Sequence, residues 1–191
     1  APGAAGSLGA NKALVVDGVR PVATNITLSN TALRIDETAT VTITFNERVS
    51  GLDTSDFNVA NGSLNNLSSS DGGLTWTATF TPSANISNAT NLITLNNTGL
   101  MDQVGNIGSG TTDSVNYAID TQRPTATIVV ADAALGVGQT TAVTFTFSEA
   151  VTGFTLAHIT VAHGTLNGLT TSDNITWTAT LTPEAGITVT S

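Results

Sequence analysis

The chain has 191 residues, 40% of them hydrophobic, a formal charge of −9 from 14 acidic and 5 basic side chains, and no cysteine. Lys12, Arg20, Arg34, Arg48 and Arg123 are too few to neutralise a phosphate backbone or an anionic bilayer, so nucleic acid and membrane surfaces are excluded as partners and cations are favoured. Disulfides and thiolate metal sites are ruled out, and no apolar run approaches the roughly 18 residues of a membrane span.

Thr, Ser, Asn, Gly, Val and Ala dominate, a composition that favours strands joined by tight turns. The start, APGAAGSLGA, lacks the charged and apolar parts of a secretory signal, so any address for export lies outside it. The stretch GAAGSLGANKALVV before Asp17 resembles GNIGSGTTDSVNYAI before Asp120, so residues 1–16 read as the C-terminal strand of a preceding repeat. From Asp17 a complete unit follows. Strands are expected at 22–29, at 38–45 with Val41, Ile43 and Phe45 alternating with threonines, and at 56–60 and 63–67, joined by Asn61-Gly62 as a hairpin. Further strands are expected at 74–81, with Leu74, Trp76, Ala78 and Phe80 on the inner face, at 91–96 and at 114–120. Seven short strands in about 100 residues predict an all-β fold, an immunoglobulin-like β-sandwich without the disulfide of antibody domains.

The unit then repeats. Arg20 and Pro21 return as Arg123 and Pro124, Phe45 as Phe147, Trp76 as Trp177, and SDGGLTWTATFTP as SDNITWTATLTP, a period of about 100 residues and so of one small domain. The expected organisation is a preceding repeat's strand at 1–16, a complete repeat at 17–119, and a second repeat at 120–191 truncated before its last strands. A sandwich in that state exposes unpaired edges, so intermolecular strand exchange at the second repeat is one expectation, alongside a plain segment of a longer array.

The string from TATVTITF to Gly51, the stretch SSSDGGLTWTATFTP, the loop NNTGLMDQVGN and the linker IDTQRPTATI resemble, in order and over nearly the whole chain, the bacterial Ig-like repeats of large cell-surface adhesins exported by type I secretion and often ending in RTX segments. The resemblance implies a secreted, cell-surface localisation and a role in cell adhesion and biofilms as an extender between an anchor and an adhesive domain. Related repeats bind Ca²⁺ at or near their junctions, and the partners implied are neighbouring repeats of the same array.

The acidic residues fit that expectation. An antiparallel path brings the loops 46–55, 68–73 and 97–113 back beside the linker at 17–21, gathering Asp17, Glu47, Asp53, Asp56, Asp71, Asp102 and Asp113 at one pole and leaving Asp36 and Glu37 at the other. Ca²⁺ takes six to eight oxygens. Asp17, Glu47, Asp102 and Asn106, with carbonyls of Gln103 or Val104, form the expected ligand pool, and Asp120 and Glu149 are the second repeat's counterparts of Asp17 and Glu47. Asp53, Asp71 and Asp113 fit equally well as turn formers that bond nearby backbone. The second repeat replaces Asp53 with Thr155 and Asp56 with His158, so neither position is a general ligand.

Other classes are weighed on the same residues. No enzyme is expected: His158 and His163 have no counterparts in the first repeat, and no nucleophile triad, zinc spacing or phosphate loop is present. The rows Thr40/Thr42/Thr44 and Thr75/Thr77/Thr79/Thr81 could form a carbohydrate- or surface-binding ladder, an alternative that would gain if Trp76 or Trp177 were exposed as a platform. A strand-exchanging filament subunit is the second alternative.

Overall fold

The structure is a computed structural model and describes residues 16–188. The chain divides into two compact units, Ala1–Gln122 and Arg123–Ser191. The expected strand at 1–16 lies, apart from Val16, outside the described residues.

In the first unit alternating Thr and aliphatic residues build one four-stranded antiparallel sheet. It consists of β1 (Ala23–Leu28), β3 (Ala39–Phe45), β5 (Gly62–Ser68) and β6 (Thr75–Pro82), in the order β1-β3-β6-β5. Ile26 lies opposite Ile43 and Leu28 opposite Val41, while Val41 faces Ala78 and Ala39 faces Phe80 on the next strand. These side chains share one face by the period-two geometry of a strand and are buried, and the intervening threonines form the outer face.

Two three-stranded sheets complete the unit. One is β2 (Ala32–Arg34), β10 (Tyr117–Asp120) and β7 (Ser87–Asn91), ordered β2-β10-β7 with β2 and β10 parallel. The other is β4 (Phe57–Val59), β8 (Ile93–Asn96) and β9 (Thr111–Asp113), ordered β4-β8-β9. Leu33, Ile93, Leu95, Leu100, Tyr117 and Ile119 bring the apolar faces of these sheets into one core with Ile26, Val41, Ile43, Phe45 and Phe80. Tyr117 packs edge-on to Phe80, ring centroids 4.9 Å apart, and its hydroxyl donates to the Ala60 carbonyl at 2.6 Å. Burial without charge stabilisation pushes the phenol up to about 12. Asn97, fully buried, accepts from the Ala23 amide and donates to Thr112 Oγ1, which ties the start of β1 to β9.

Three sequence expectations are corrected here. Asn61-Gly62 is a turn, with Asn61 at φ 53°, yet it does not close a hairpin: β4 pairs with β8 and β5 with β6, so the turn passes the chain from one sheet to the other. A Cβ at Gly62 would collide with the Phe80 ring, and that close approach is what the glycine permits. The strand expected at 91–96 is two strands that break at Leu92 and belong to different sheets, and only Tyr117–Asp120 of 114–120 is extended in a ladder. The first unit therefore has the ten strands β1 to β10 rather than seven.

The second unit contains β11 (Ala126–Val130), β12 (Thr141–Phe147), β13 (Gly164–Thr171) and β14 (Thr176–Pro183) in one antiparallel sheet, β11-β12-β14-β13. The register repeats that of the first unit: Ile128 lies opposite Phe145 and Val130 opposite Val143. Its core is smaller, with Val143, Phe145 and Ala179 buried and Phe147, Phe154, Leu166, Trp177 and Leu181 packed against them. Phe154 stands edge-on to Phe145, Phe147 and Trp177 at 5.5, 5.0 and 5.4 Å.

Candidate metal centre

The site of interest lies in the first unit, at the end of the sandwich where the chain enters β1. Three segments meet there: the lead-in at Asp17, the loop after β3 at Glu47, and the loop after β8 at Asp102. Each offers a carboxylate oxygen, and the three lie within 4.8 Å of one another, with Asp17 exposed, Glu47 half-buried and Asp102 buried. Arg48, Gln103 and Val104 line the same hollow.

Local chemistry fixes the loop at 102–106. Asp102 Oδ1 accepts the amides of Val104, Gly105 and Asn106 at 2.9, 2.7 and 2.8 Å, and Oδ2 accepts the Asn106 side-chain amide at 2.7 Å. Gly105, at φ 97°, takes the backbone angle that lets three successive amides converge. Asn106 also donates to the Asp17 carbonyl at 3.1 Å, so it joins the linker to the loop. Arg20 adds a second tie, donating to the Ile107 carbonyl at 2.8 Å, and Asn46 a third, accepting from Val22 N and donating to the Arg20 carbonyl at 2.9 and 3.0 Å. The roles of Arg20 and Asn46 escape a sequence reading focused on carboxylates. The return of Arg20 as Arg123, and of Asn46 as Ser148, whose hydroxyl accepts from Thr125 N, is the signal that could have found them.

The electrostatics move two of the carboxyls in opposite directions. Burial, then the charges of Asp17 and Asp102, push the Glu47 carboxyl above its ordinary range, against a weak hydrogen bond from Asn46. Burial pushes Asp102 up as well, but its hydrogen bonds from Asn106, Val104 and Gly105 together outweigh that and hold it below the usual carboxylate value. Among the described residues none of the three carboxylates is in an ion pair. The donors are all hard oxygens, with neither imidazole nor thiolate, a set suited to Ca²⁺ rather than to zinc. Since Asp102 Oδ1 is saturated by backbone amides, Oδ2 is the oxygen it would share with an ion, beside the oxygens of Asp17 and Glu47.

The rest of the acidic pool is engaged elsewhere. Asp71 accepts from Ser69 Oγ and from the Leu74 and Thr75 amides, and these bonds, the Thr75 amide first, lower it to about 2 against burial. Asp53 caps a 3-10 turn through Ser55, Asp56 accepts from Asp53 N, and Asp113 accepts from Thr94 Oγ1. These four carboxylates do not join the cluster. Asp120 ends β10 opposite Arg34 and Ser87 in the first unit, and Glu149 follows β12 in the second, so the two belong to different units. Both Trp76 and Trp177 are half-buried and packed against the cores, the position expected of core residues rather than of a sugar platform.

The repeat, the shared register and the loop geometry agree with one outcome of comparison: residues 17–119 and 120–191 each match a family described as bacterial Ig-like domain. The chain belongs to the bacterial Ig-like domain family. No curated protein matches it. Among solved structures, the bacterial Ig-like repeats here are similar to FdeC, described as a broadly conserved Escherichia coli adhesin, at 14% identity and a TM-score of 0.41. That match covers 84% of this chain and 55% of the other, so the chain spans about half the length of the solved chain it matches. Among the described residues no helix is long and apolar enough to cross a membrane.

Proposed function

We propose that this chain is a non-catalytic extender segment of a bacterial cell-surface adhesin, in which consecutive Ig-like repeats act as spacers and Ca²⁺ stiffens the point where the linker enters a repeat. In this reading 17–119 is a complete repeat, 120–191 belongs to a second, and 1–16 is the closing strand of one before. Each sandwich spans roughly 40 Å, about ten strand residues plus loops. The linker IDTQRP is short, and Pro restricts it further.

The observation that carries the metal half of the proposal is the convergence of Asp17 from the linker with Glu47 and Asp102 from two loops, all within 4.8 Å. A hard divalent cation there would offset the mutual repulsion that raises Glu47, and would cross-link the linker to the body of the repeat. Asp17, Glu47 and Asp102 Oδ2 would hold it, with Asn106 positioning both Asp102 and the linker. The ion supplies charge neutralisation and a fixed joint, and no chemistry is routed through it. Loading lowers the proton affinity of Glu47, so binding should release protons and weaken as pH falls.

The test is calorimetric titration of Ca²⁺ into chelator-stripped protein, with small-angle scattering before and after. Saturable binding, an increased maximum dimension, and loss of both in Glu47→Gln are expected, while Asp71→Asn, outside the cluster, should leave binding intact. Heat-silent titration at millimolar Ca²⁺ with an unchanged scattering profile would sink the metal mechanism.

A further inference from the structure

The chain contains two Asn-Gly pairs, Asn61-Gly62 and Asn167-Gly168. In such a pair no side chain shields the backbone nitrogen after the asparagine, which can attack the side-chain amide where that amide is uncommitted and the peptide between them is able to rotate. The fold treats the two pairs differently. Asn61 is half-buried and donates through Nδ2 to Asn91 Oδ1 at 2.6 Å, while Gly62 is closed in by the Phe80 ring and the Thr81 carbonyl. Asn167 and Gly168 are both exposed, and nothing lies within 4 Å of where a Cβ on Gly168 would stand. Among the described residues the Asn167 side chain makes no hydrogen bond.

A β-bulge releases the second pair from the ladder. β13 pairs with β14 as far as Asn167 opposite Thr180 and resumes at Thr170 opposite Thr178, so Gly168 and Leu169 have no opposite residue. The first unit has the same irregularity: Asn65 lies opposite Thr79, pairing resumes at Ser68 opposite Thr77, and Asn65 and Asn66 are both exposed. The backbones agree, with Asn66 at φ 55° and Gly168 at φ 67°. Since the first unit shows this exposure with all three of its sheets in place, the exposure belongs to the bulge itself. Asn65, however, is followed by a residue with a side chain, and its own amide donates to Ser63 Oγ at 3.4 Å. Of the three asparagines, Asn167 alone combines a following glycine, an exposed amide and a gap in the ladder.

We infer that Asn167 is a site of self-modification, which loses its side-chain amide through a cyclic imide formed with Gly168. The Gly168 backbone nitrogen, deprotonated by hydroxide, bonds to Asn167 Cγ; the bond from Cγ to Nδ2 breaks, and Nδ2 takes a proton from water and leaves as ammonia. Water then opens the imide. Cleavage between Cγ and the Gly168 nitrogen leaves an aspartate, and cleavage between the Asn167 carbonyl carbon and that nitrogen leaves an isoaspartate, whose main chain runs through Cβ and Cγ. Each route consumes one water and releases one ammonia, with no oxidant or reductant. The isoaspartate lengthens the backbone by one atom where two residues already have no partner, so β13 accommodates it without a change of register elsewhere. Either product places a negative charge on the outermost strand of β11-β12-β14-β13, the place that β5 holds in β1-β3-β6-β5, and charge on an outer strand opposes edge-to-edge pairing between molecules.

The full chain, held in heavy-oxygen water at mildly alkaline pH and mapped by mass spectrometry, reports the reaction directly, because opening the imide leaves one heavy oxygen on the residue. Asn167 should react at least about tenfold faster than Asn61 or Asn65, a barrier difference of about 1.4 kcal/mol. In denaturant Asn61 and Asn167 should react at similar rates and Asn65 more slowly, which separates the effect of the fold from that of the dipeptide. Gly168→Asn copies the residue that the first unit holds at this left-handed position, and it should slow Asn167 to the rate of Asn65. The reverse exchange, Asn66→Gly, should raise Asn65 toward the rate of Asn167. Each variant borrows the other unit's own residue, and the wild-type comparison of Asn61 with Asn167 needs no variant at all. Equal rates at Asn61 and Asn167 in the folded chain, an unmodified Asn167, or an Asn167 rate that Gly168→Asn leaves unchanged would each overturn the inference.

Discussion

The two units contain the same four-stranded sheet in the same strand order, their registers alike except for a bulge between Ala23 and Asn25 in the first, under opposite conditions. In the first, three-stranded sheets cover its inner face, and Ile26, Val41, Ile43 and Phe80 are lost to solvent. In the second, the described residues supply no such cover, Ile128 and Val130 stay wet, and a cluster of Phe145, Phe147, Phe154 and Trp177 closes over part of the face. The strands β11 to β14 form all the same. The comparison teaches that period-two patterning suffices to set the four-stranded sheet and its register, the pairing of the non-consecutive β12 and β14 included, whereas β2 and β4 exist only where β10 and β8 lie beside them. Ile159 to Val161, the counterpart of β4, form no strand.

The comparison is broken most sharply by equal truncations at equal positions. Ile26→Ala should cost the first unit roughly 2–5 kcal/mol, the usual range for a fully buried aliphatic side chain. Ile128→Ala should change the second by less than about 0.5 kcal/mol, as for an exposed site. Denaturant unfolding followed separately for the two units, with Trp76→Phe and Trp177→Phe backgrounds to isolate each fluorophore, checks both. Similar losses at the two positions would mean that the second unit's face is covered in solution.

A smaller effect sharpens the likeness. Asp71 and Asp173 occupy the same turn, each accepting two backbone amides, from Leu74 and Thr75 and from Ile175 and Thr176. Both are held below the ordinary carboxylate range by those bonds, Asp71 at about 2. A depressed folded-state value means that the ionised turn stabilises above the unfolded value of 3.8 and loses that stabilisation as pH falls through about 2. The melting temperature of Asp71→Asn should therefore lie below that of the parent at pH 6 and converge on it toward pH 2, and that of Asp173→Asn should lie below it at pH 6 and approach it as the pH falls. A gap that persists at pH 2 would show that the amide substitution harms the turn by shape rather than by charge.

What could be read from the sequence divides along the same line. The repeat and the strands of the four-stranded sheet were legible because Val41, Ile43 and Phe45 alternate with threonines without interruption. The short strands were not: Ser87–Asn91 and Thr111–Asp113 are mostly polar, and Ala32–Arg34 buries one apolar side chain, Leu33, so tertiary pairing alone decides their state. Asn61-Gly62 announced a turn correctly, because its left-handed backbone is a local property, but which strand the chain pairs with next is not. The same holds at the acidic pole. Topology gathered Asp17, Glu47 and Asp102, while Asp53 and Asp71 were taken by turns of their own and Asp113 by the cross-strand hydroxyl of Thr94, a distinction that hydrogen-bond geometry makes and residue type does not.

The parallel clasp of β2 and β10 has a mechanical consequence. β1 and β2 lie at the start of the first unit and β10 at its end, so tension applied to the two ends drags β2 and β10 in opposite directions along their common axis. Their backbone bonds are then loaded in shear, and several must fail together, whereas an antiparallel hairpin pulled at its open end would peel apart one rung at a time. Ala32→Pro would remove the amide that meets Asn30 Oδ1 and disturb the start of the clasp. In single-molecule stretching it should lower the first unit's rupture force while leaving the second unit's unchanged, and an unaltered rupture force would place the resistance elsewhere in the sandwich.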